Sequence, residues 1–241
     1  MVLIKLLGID EAGRGAVIGP LVICGLMIDD NNEKMLKEIR VKDSKQLTPK
    51  RREELAPEIE KIATHVVILR VPACKIDDNI KRGVNLNWTE ALKMIDIINL
   101  LEPDKAIIDT PCVNTNKFKN FLLARIENKK VELLCENYAD ETYPVVSAAS
   151  IIAKVNRDKD IEEIKKKVGF NFGVGYSHDS QTIEFLNKLA KENKGKFPSY
   201  VRHTWDTVDR IKQEYSQLRV FNFFKKLMKK EKTTSLTNLQ D

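Results

Sequence analysis

Acidic residues that directly follow apolar runs can gather at one rim of a β-sheet, and this chain has several. Asp10 and Glu11 end the apolar run from Val2 to Ile9, and Asp109 ends Ala106-Ile107-Ile108. Asp140-Glu141 precede Tyr143-Pro144 and a long helical pattern. In open α/β sheets, functional groups collect at the carboxyl ends of the parallel strands. Carboxylates projecting from a dry core are costly unless a cation or a donor pairs with them. Oxygen ligands without His or Cys select Mg²⁺ or Mn²⁺ over zinc. Two such ions about 4 Å apart can activate a water and stabilise the leaving oxygen in phosphodiester cleavage. They also reverse a field that would otherwise repel a phosphate. With 35 acids in the chain, position alone leaves another reading open, in which Asp140 caps a turn and Glu11 is solvated surface. On a continuous strand Glu11 points away from Asp10, whereas a strand breaking into a turn delivers both groups to one site.

Gly13-Arg14-Gly15 comes next. Glycines flanking an arginine let the backbone approach a ligand and expose its N–H groups. A strand pattern follows where a dinucleotide fingerprint needs a helix, so that motif is excluded. Taken alone, the triplet also reads as an ordinary hairpin turn; its adjacency to two candidate metal ligands gives it weight. Further on, Ser147, Ser150, Lys154 and Arg157 recur at helical spacing and share one face. Hydroxyls and cations on one stripe suit phosphate oxygens, and a solvated helix face is the alternative.

The elements that must position these residues follow from periodicity. Val2 to Ile9 reads as a strand, and about Val17 to Ile28 as its hairpin return. Thr48 offers an N-cap before Pro49, opening a helix to about Ile62. A β-branched strand spans His65 to Val71, and Trp88 opens a helix that Pro103-Asp104 ends. A short buried strand stops at Asp109, Lys117 to Ile126 is helical, and Val131 to Cys135 is another short strand. Helical patterns cover Val145 to Val168, Ser180 to Glu192, and Thr204 to about Lys230. A hairpin start followed by alternating elements gives an α/β fold, a mixed sheet with helices on its faces.

Composition agrees with a soluble folded chain. Hydrophobic residues make up 42% and charged residues 32% of 241 residues, and 41 Lys and Arg against 35 acids leave a formal charge of +6. The excess favours a polyanionic partner without naming it. Cys24, Cys74, Cys112 and Cys135 form no CxxC pair, which argues against a zinc site or a disulfide framework. Met1 to Leu7 is too short for a signal peptide, and no uncharged apolar run approaches the ~18 residues of a membrane span. A cytoplasmic location, with no membrane partner, is therefore expected.

Gly8-Ile9-Asp10-Glu11-Ala12-Gly13-Arg14-Gly15, with Gly19-Pro20 downstream, resembles the opening motif of ribonuclease HII. Asp43-Ser44-Lys45-Gln46-Leu47 resembles its DSK-L segment. Ala139-Asp140 with Pro144 through Asp158 resembles its long central motif, and Gly175-Tyr176 its later tyrosine. The likeness runs from residue 3 to about 206, with the motifs in order. It implies a ribonuclease H-like fold, a mixed five-stranded sheet flanked by helices, over residues 1–200, with a helical extension and polar tail over 201–241. It implies Asp10, Glu11, Asp109 and Asp140 as metal-binding, catalytic acids, with Mg²⁺ or Mn²⁺ as cofactor. The Asp109 assignment leans on its strand-end position. It further implies that Gly13, Arg14 and Gly15 contact the ribose 2′-OH, which distinguishes RNA from DNA, and that Tyr176 packs at the RNA–DNA junction. Lys45, Ser147, Ser150 and Lys154 complete the expected substrate contacts. The implied activity is endonucleolytic hydrolysis of RNA in RNA/DNA hybrids and incision at ribonucleotides embedded in DNA. Rival readings are a DNA-specific nuclease of the same superfamily, which has no 2′-OH to read, and a binder that has lost catalysis.

Near the C-terminus, Gln217, Val220, Phe223 and Phe224 fit Q-x-x-(aliphatic)-x-x-F-F, which resembles the short box that docks on sliding clamps. An aliphatic residue and paired aromatics would fill a hydrophobic pocket, with Gln as the polar anchor. Tyr215, Leu218 and Phe221 also fit the apolar stripe of a helix, which is the alternative.

Overall fold

A hairpin opens the chain. β1 (Lys5–Ala12) pairs antiparallel with β2 (Leu21–Asp29), which pairs antiparallel with β3 (His65–Val71). On its other side β1 runs parallel to β4 (Lys105–Asp109), which runs parallel to β5 (Glu132–Glu136). The five-stranded sheet has the order β3-β2-β1-β4-β5. This computed structural model describes residues 3–41 and 47–237, with side chains described through residue 221.

The described helices are α1 (Glu33–Glu38), α2 (Pro49–Ile62), α3 (Ala73–Lys81), α4 (Leu86–Leu101), α5 (Thr115–Arg125), α6 (Ala139–Thr142), α7 (Pro144–Val168), α8 (Ser180–Glu192) and α9 (Asp206–Thr237). The Thr48 cap forms as its sequence predicts, its hydroxyl accepting from the Arg51 amide at 3.2 Å with Pro49 at the first helical position. α3 carries no sequence expectation. Only Ala73, Ile76 and Asp77 are buried in it, too few apolar positions to raise a helical period above its charged neighbours.

Alternation along β1 sends successive side chains to opposite faces. Leu6 packs with Leu26, Ile28 and Ile107 beneath α7, whose Val145, Ala149 and Ile152 complete that layer. Leu7 and Ile9 pack with Ile23, Ala106 and Ile108 beneath α4, against Met94, Ile97 and Ile98. Gly8 lets α7 sit directly on the sheet, because a Cβ there would overlap the Val145 carbonyl.

The second strand starts at Leu21, not near Val17 as periodicity predicts. Val17 and Ile18 instead donate their amides to the Gly175 carbonyl at 2.9 and 3.0 Å. Isolated bridges join Ala16 to Tyr176 and Ile18 to Val201. The apolar residues that imitate a strand are bound to a third core cluster, with Phe172, Phe185, Leu186, Val201, Val208 and Ile211. This packing continues across residue 200, so Val201 and Val208 share a core with Val17.

Candidate metal centre and substrate cleft

Three acids converge at the carboxyl ends of the parallel strands. Register pairs Ile9 of β1 with Ile108 of β4, so the next residues, Asp10 and Asp109, stand side by side. Asp109 Oδ1 accepts the Ala139 amide at 3.1 Å. That bond ties the end of β4 to α6, the short helix that carries Asp140. Asp10 is 4% and Asp140 2% exposed, with Asp109 half-buried. Each of the three can offer one carboxylate oxygen such that all lie within 4.8 Å of one another.

Electrostatics marks this arrangement as incomplete without positive charge. Burial first, and then the neighbouring Asp109 carboxylate, push the Asp10 carboxyl up to about 7. A hydrogen bond from Ser150, the Glu11 amide at 2.7 Å and the charge of Lys154 pull the other way. Lys154 Nζ donates to Ser150 Oγ at 2.9 Å, so a cation and a hydroxyl on α7 steady Asp10 from behind.

Glu11 stands differently. β1 continues through Ala12, so Glu11 lies on the opposite pleat, and the acids that converge are Asp10, Asp109 and Asp140. No turn intervenes between the two neighbours, yet Glu11 stays within electrostatic reach of Asp10 and Asp109 and borders the cleft. Burial raises the Glu11 carboxyl well above its ordinary value, followed by Glu90, Asp10 and Asp109, with Arg14 opposing. Its Oε2 is buried with no hydrogen-bond partner among the described residues. An all-carboxylate donor set with such an orphaned oxygen beside it fits a hard divalent cation.

A cleft of about 1150 Å³ lies alongside, lined by Glu11, Gly13 and Arg14 on one side and by Lys154, Lys165, Lys166 and Tyr176 among others. Its wall thus combines Glu11, near the metal trio, with an α7 face on which Lys154, Lys159, Lys165 and Lys166 alternate with Asp158, Glu162 and Glu163. That face is turned further inward than an open phosphate-binding stripe. Ser147 is buried and donates its hydroxyl to the Val41 carbonyl, and Ser150 is buried against Asp10. Arg157 is also buried, donating to the Val174 carbonyl at 2.7 Å and lying 4.5 Å over the Tyr176 ring. Of the four, Lys154 and Arg157 border the cleft. The rotation of α7 that seats Val145, Ala149 and Ile152 on the sheet also draws in the serines.

The glycine-arginine-glycine turn is held from two sides. Gly13 adopts φ +87°, a left-handed conformation that favours glycine. Behind it, Arg202 is 0% exposed and donates to the carbonyls of Gly13 at 2.6 Å, Arg14 at 2.7 Å and Gly19 at 3.3 Å. Burial first, and then the neighbouring Arg157, lower the Arg202 guanidinium to about 10. Asp77 anchors the same segment by accepting the amides of His203 and Thr204 at 2.8 and 3.0 Å. In front, the Arg14 guanidinium pairs with Glu90 and with Asn87 Oδ1. Gly15 is exposed, with the Tyr176 ring 4.0 Å from where its Cβ would be. The Ala16–Tyr176 bridge brings those two candidate sites together.

Glu90, Asp77 and Arg202 are absent from the sequence reading. Glu90 had one available signal, since it sits at helical spacing with Met94, Ile97 and Leu101 in an apolar stripe. Arg202 had none, being one of 41 basic residues. Asp43, Ser44, Lys45 and Gln46 lie outside the described residues, as do the side chains of Phe223 and Phe224. Gln217 and Val220 lie on α9, where Leu218, Val220 and Phe221 are exposed. The apolar stripe at Leu218 and Phe221 is therefore not spent on the core. No helix among the described residues is long and apolar enough to cross a membrane.

The model of the ribonuclease HII family matches residues 7–208. Ribonuclease HII of Pyrococcus furiosus is 43% identical over 228 residues, covering 92% of this chain and 99% of that protein. The crystal structure of the ribonuclease H2 from Pyrococcus horikoshii OT3 superposes with a TM-score of 0.81 at 41% identity, covering 88% of this chain and 99% of that one. Ribonuclease HII from Archaeoglobus fulgidus, solved as a complex with PCNA, superposes with a TM-score of 0.76 at 40% identity, covering 84% and 95%.

Proposed function

Because the chain belongs to the ribonuclease HII family, we propose that it is a metal-dependent endonuclease with two substrates. It hydrolyses the RNA strand of RNA/DNA hybrids, and it incises beside ribonucleotides embedded in duplex DNA. Its class, a type 2 ribonuclease H, comes with the family. The observation that carries the finer reading is the convergence of Asp10, Asp109 and Asp140 from β1, β4 and α6 beside a cleft that Arg14, Lys154 and Tyr176 border.

Asp10, Asp109 and Asp140 hold the cation site, and Glu11, facing the cleft, completes the acid set. Mg²⁺ or Mn²⁺ supplies water activation and leaving-oxygen stabilisation there. Lys154 steadies Asp10 through Ser150, and its place on the cleft wall supports a contact with a phosphodiester backbone. The exposed Gly15 lets a sugar approach the turn closely, and Arg14 and Tyr176 flank that approach. A 2′-OH is the group this pocket reads. The products are a 5′-phosphate and a 3′-hydroxyl.

A duplex DNA carrying one ribonucleotide, incubated with Mg²⁺, Mn²⁺ or EDTA, tests this directly. Incision at the ribonucleotide with either metal and none with EDTA is expected, and Asp10→Asn should abolish turnover while duplex binding persists. Cleavage of an all-DNA duplex, or activity surviving EDTA, would sink the reading.

A sliding clamp is the proposed partner for residues Gln217, Val220, Phe223 and Phe224. The exposed apolar residues on α9 support this, as does the complex formed by the Archaeoglobus fulgidus relative. A pull-down in which Phe223→Ala with Phe224→Ala leaves clamp binding unchanged would remove it.

A further inference from the structure

Glu90 is an acid in a position where the fold asks for an apolar residue. It shares the stripe of α4 with Met94, Ile97 and Leu101 and is 0% exposed. One carboxylate oxygen accepts from Arg14 Nη1. The other, Oε1, is buried with no hydrogen-bond partner among the described residues. Asn87, almost one turn earlier on the same helix, accepts from Arg14 Nη2. Two acceptors three residues apart on a rigid helix therefore hold both ends of a planar guanidinium.

Stability alone does not account for this pair. A buried ion pair is commonly no better for stability than well-packed apolar residues in the place of both partners, because desolvation offsets the attraction. The backbone of the turn already has its own support, in the three carbonyl bonds from Arg202. What Glu90 and Asn87 add is the direction of the Arg14 side chain, which remains about one-third exposed at the cleft.

We propose that Glu90, assisted by Asn87, is a positioning residue for sugar discrimination: it holds Arg14 at the angle from which the turn distinguishes a ribonucleotide from a deoxyribonucleotide. The inference rests on the sugar-reading role given to Arg14 above. Glu90 touches no substrate and acts only through Arg14. Loss of its charge leaves at most a neutral amide acceptor for Nη1, roughly half as strong a hold, so the guanidinium swings more freely and the two sugars are distinguished less well.

The test measures binding, without turnover, in an Asp10→Asn background. Dissociation constants are compared for two duplexes that differ in a single 2′-OH, and their ratio is the discrimination. Arg14→Ala should lower that ratio roughly tenfold or more, and Glu90→Gln should lower it by about threefold or more. Glu90→Gln combined with Arg14→Ala should lower it no further than Arg14→Ala alone, the signature of residues that act as one unit. The melting midpoint of Glu90→Gln should fall only modestly, because the Arg14 head is about one-third exposed and water can hydrate it. Asn87→Ala, which leaves the core intact, should lower the ratio in the same direction and stands in if Glu90→Gln does not fold. A ratio unchanged in Glu90→Gln, or in that stand-in, while Arg14→Ala lowers it, overturns the inference and leaves Arg14 in its role. Effects of the two substitutions that simply multiply also overturn it. A ratio unchanged in Arg14→Ala rejects the sugar-reading role itself.

Discussion

Arg202→Lys should loosen the glycine-arginine-glycine turn while leaving the sheet standing. The arginine fork spans three carbonyls, those of Gly13, Arg14 and Gly19. Lysine keeps the charge but offers a point donor that cannot span them. The Gly13 carbonyl retains its bond from the Ala16 amide at 3.3 Å, so the exposed deficit falls on Arg14 and Gly19. Two buried acceptors left unsatisfied cost about 1–3 kcal/mol each, giving a loss of roughly 2–6 kcal/mol if both stay orphaned. Domains of this kind have only about 5–15 kcal/mol in total, so local opening of the turn is cheaper than keeping it closed. Urea denaturation measures the global loss. Hydrogen exchange at the amides of Ala16 to Ile18, bonded to the Gly13 and Gly175 carbonyls, measures the local one, and protection there should fall first. A loss below about 1 kcal/mol together with unchanged exchange at those amides would refute the assignment of Arg202 as the brace.

Other consequences are simpler to check. Gly8→Ala forces a Cβ into the Val145 carbonyl and should destabilise the protein by about 1–3 kcal/mol, seen as a lower denaturant midpoint; an unchanged midpoint would mean that α7 can shift freely. Burial pushes the Asp179 carboxyl up, but bonds from the Val174 and Gln181 amides and the Thr182 hydroxyl, with the charge of His178, outweigh it and bring it below the ordinary 3.8. A depressed acid stabilises the fold at pH values above its unfolded pKa and loses that contribution as pH falls through the folded value. Asp179→Ala should therefore flatten the stability profile below about pH 4, and a profile parallel to the parent would count against this. Cys74 is exposed, while burial of Cys24 and Cys135 keeps their thiols protonated. Iodoacetamide should label Cys74 well before either of them in the native protein, and equal rates by mass spectrometry would contradict the buried placement.

Much of the site was legible before any coordinates. Asp10 and Asp109 follow apolar runs whose strand character is local; Asp109 ends β4, whereas Asp10 stands just past the last β1–β4 pair, two residues before β1 itself ends. Thr48-Pro49 and the whole of α8 are equally local, set by caps and periodicity. What misled was also local in form. Val17 and Ile18 have strand-like composition, yet their hydrogen bonds go to Gly175, over 150 residues away. The helical spacing of Ser147, Ser150, Lys154 and Arg157 is real, but spacing does not say which way a face turns.

The sequence by itself singled out the acids proposed for the chemistry and the order of the elements that bear them, because caps, apolar periods and turn residues act within a few positions of one another. Tertiary packing decided the rest. Pairing Ile9 with Ile108 joins strands almost a hundred residues apart and sets Asp10 beside Asp109, and one bond from Asp109 to Ala139 brings in Asp140. The continuation of β1 through Ala12 sends Glu11 to the α4 side of the sheet, toward Glu90 and Arg14. The seating of α7 on Gly8 turns Ser147 and Arg157 inward. Each of these depends on how two distant surfaces fill a shared volume, and no local pattern encodes that.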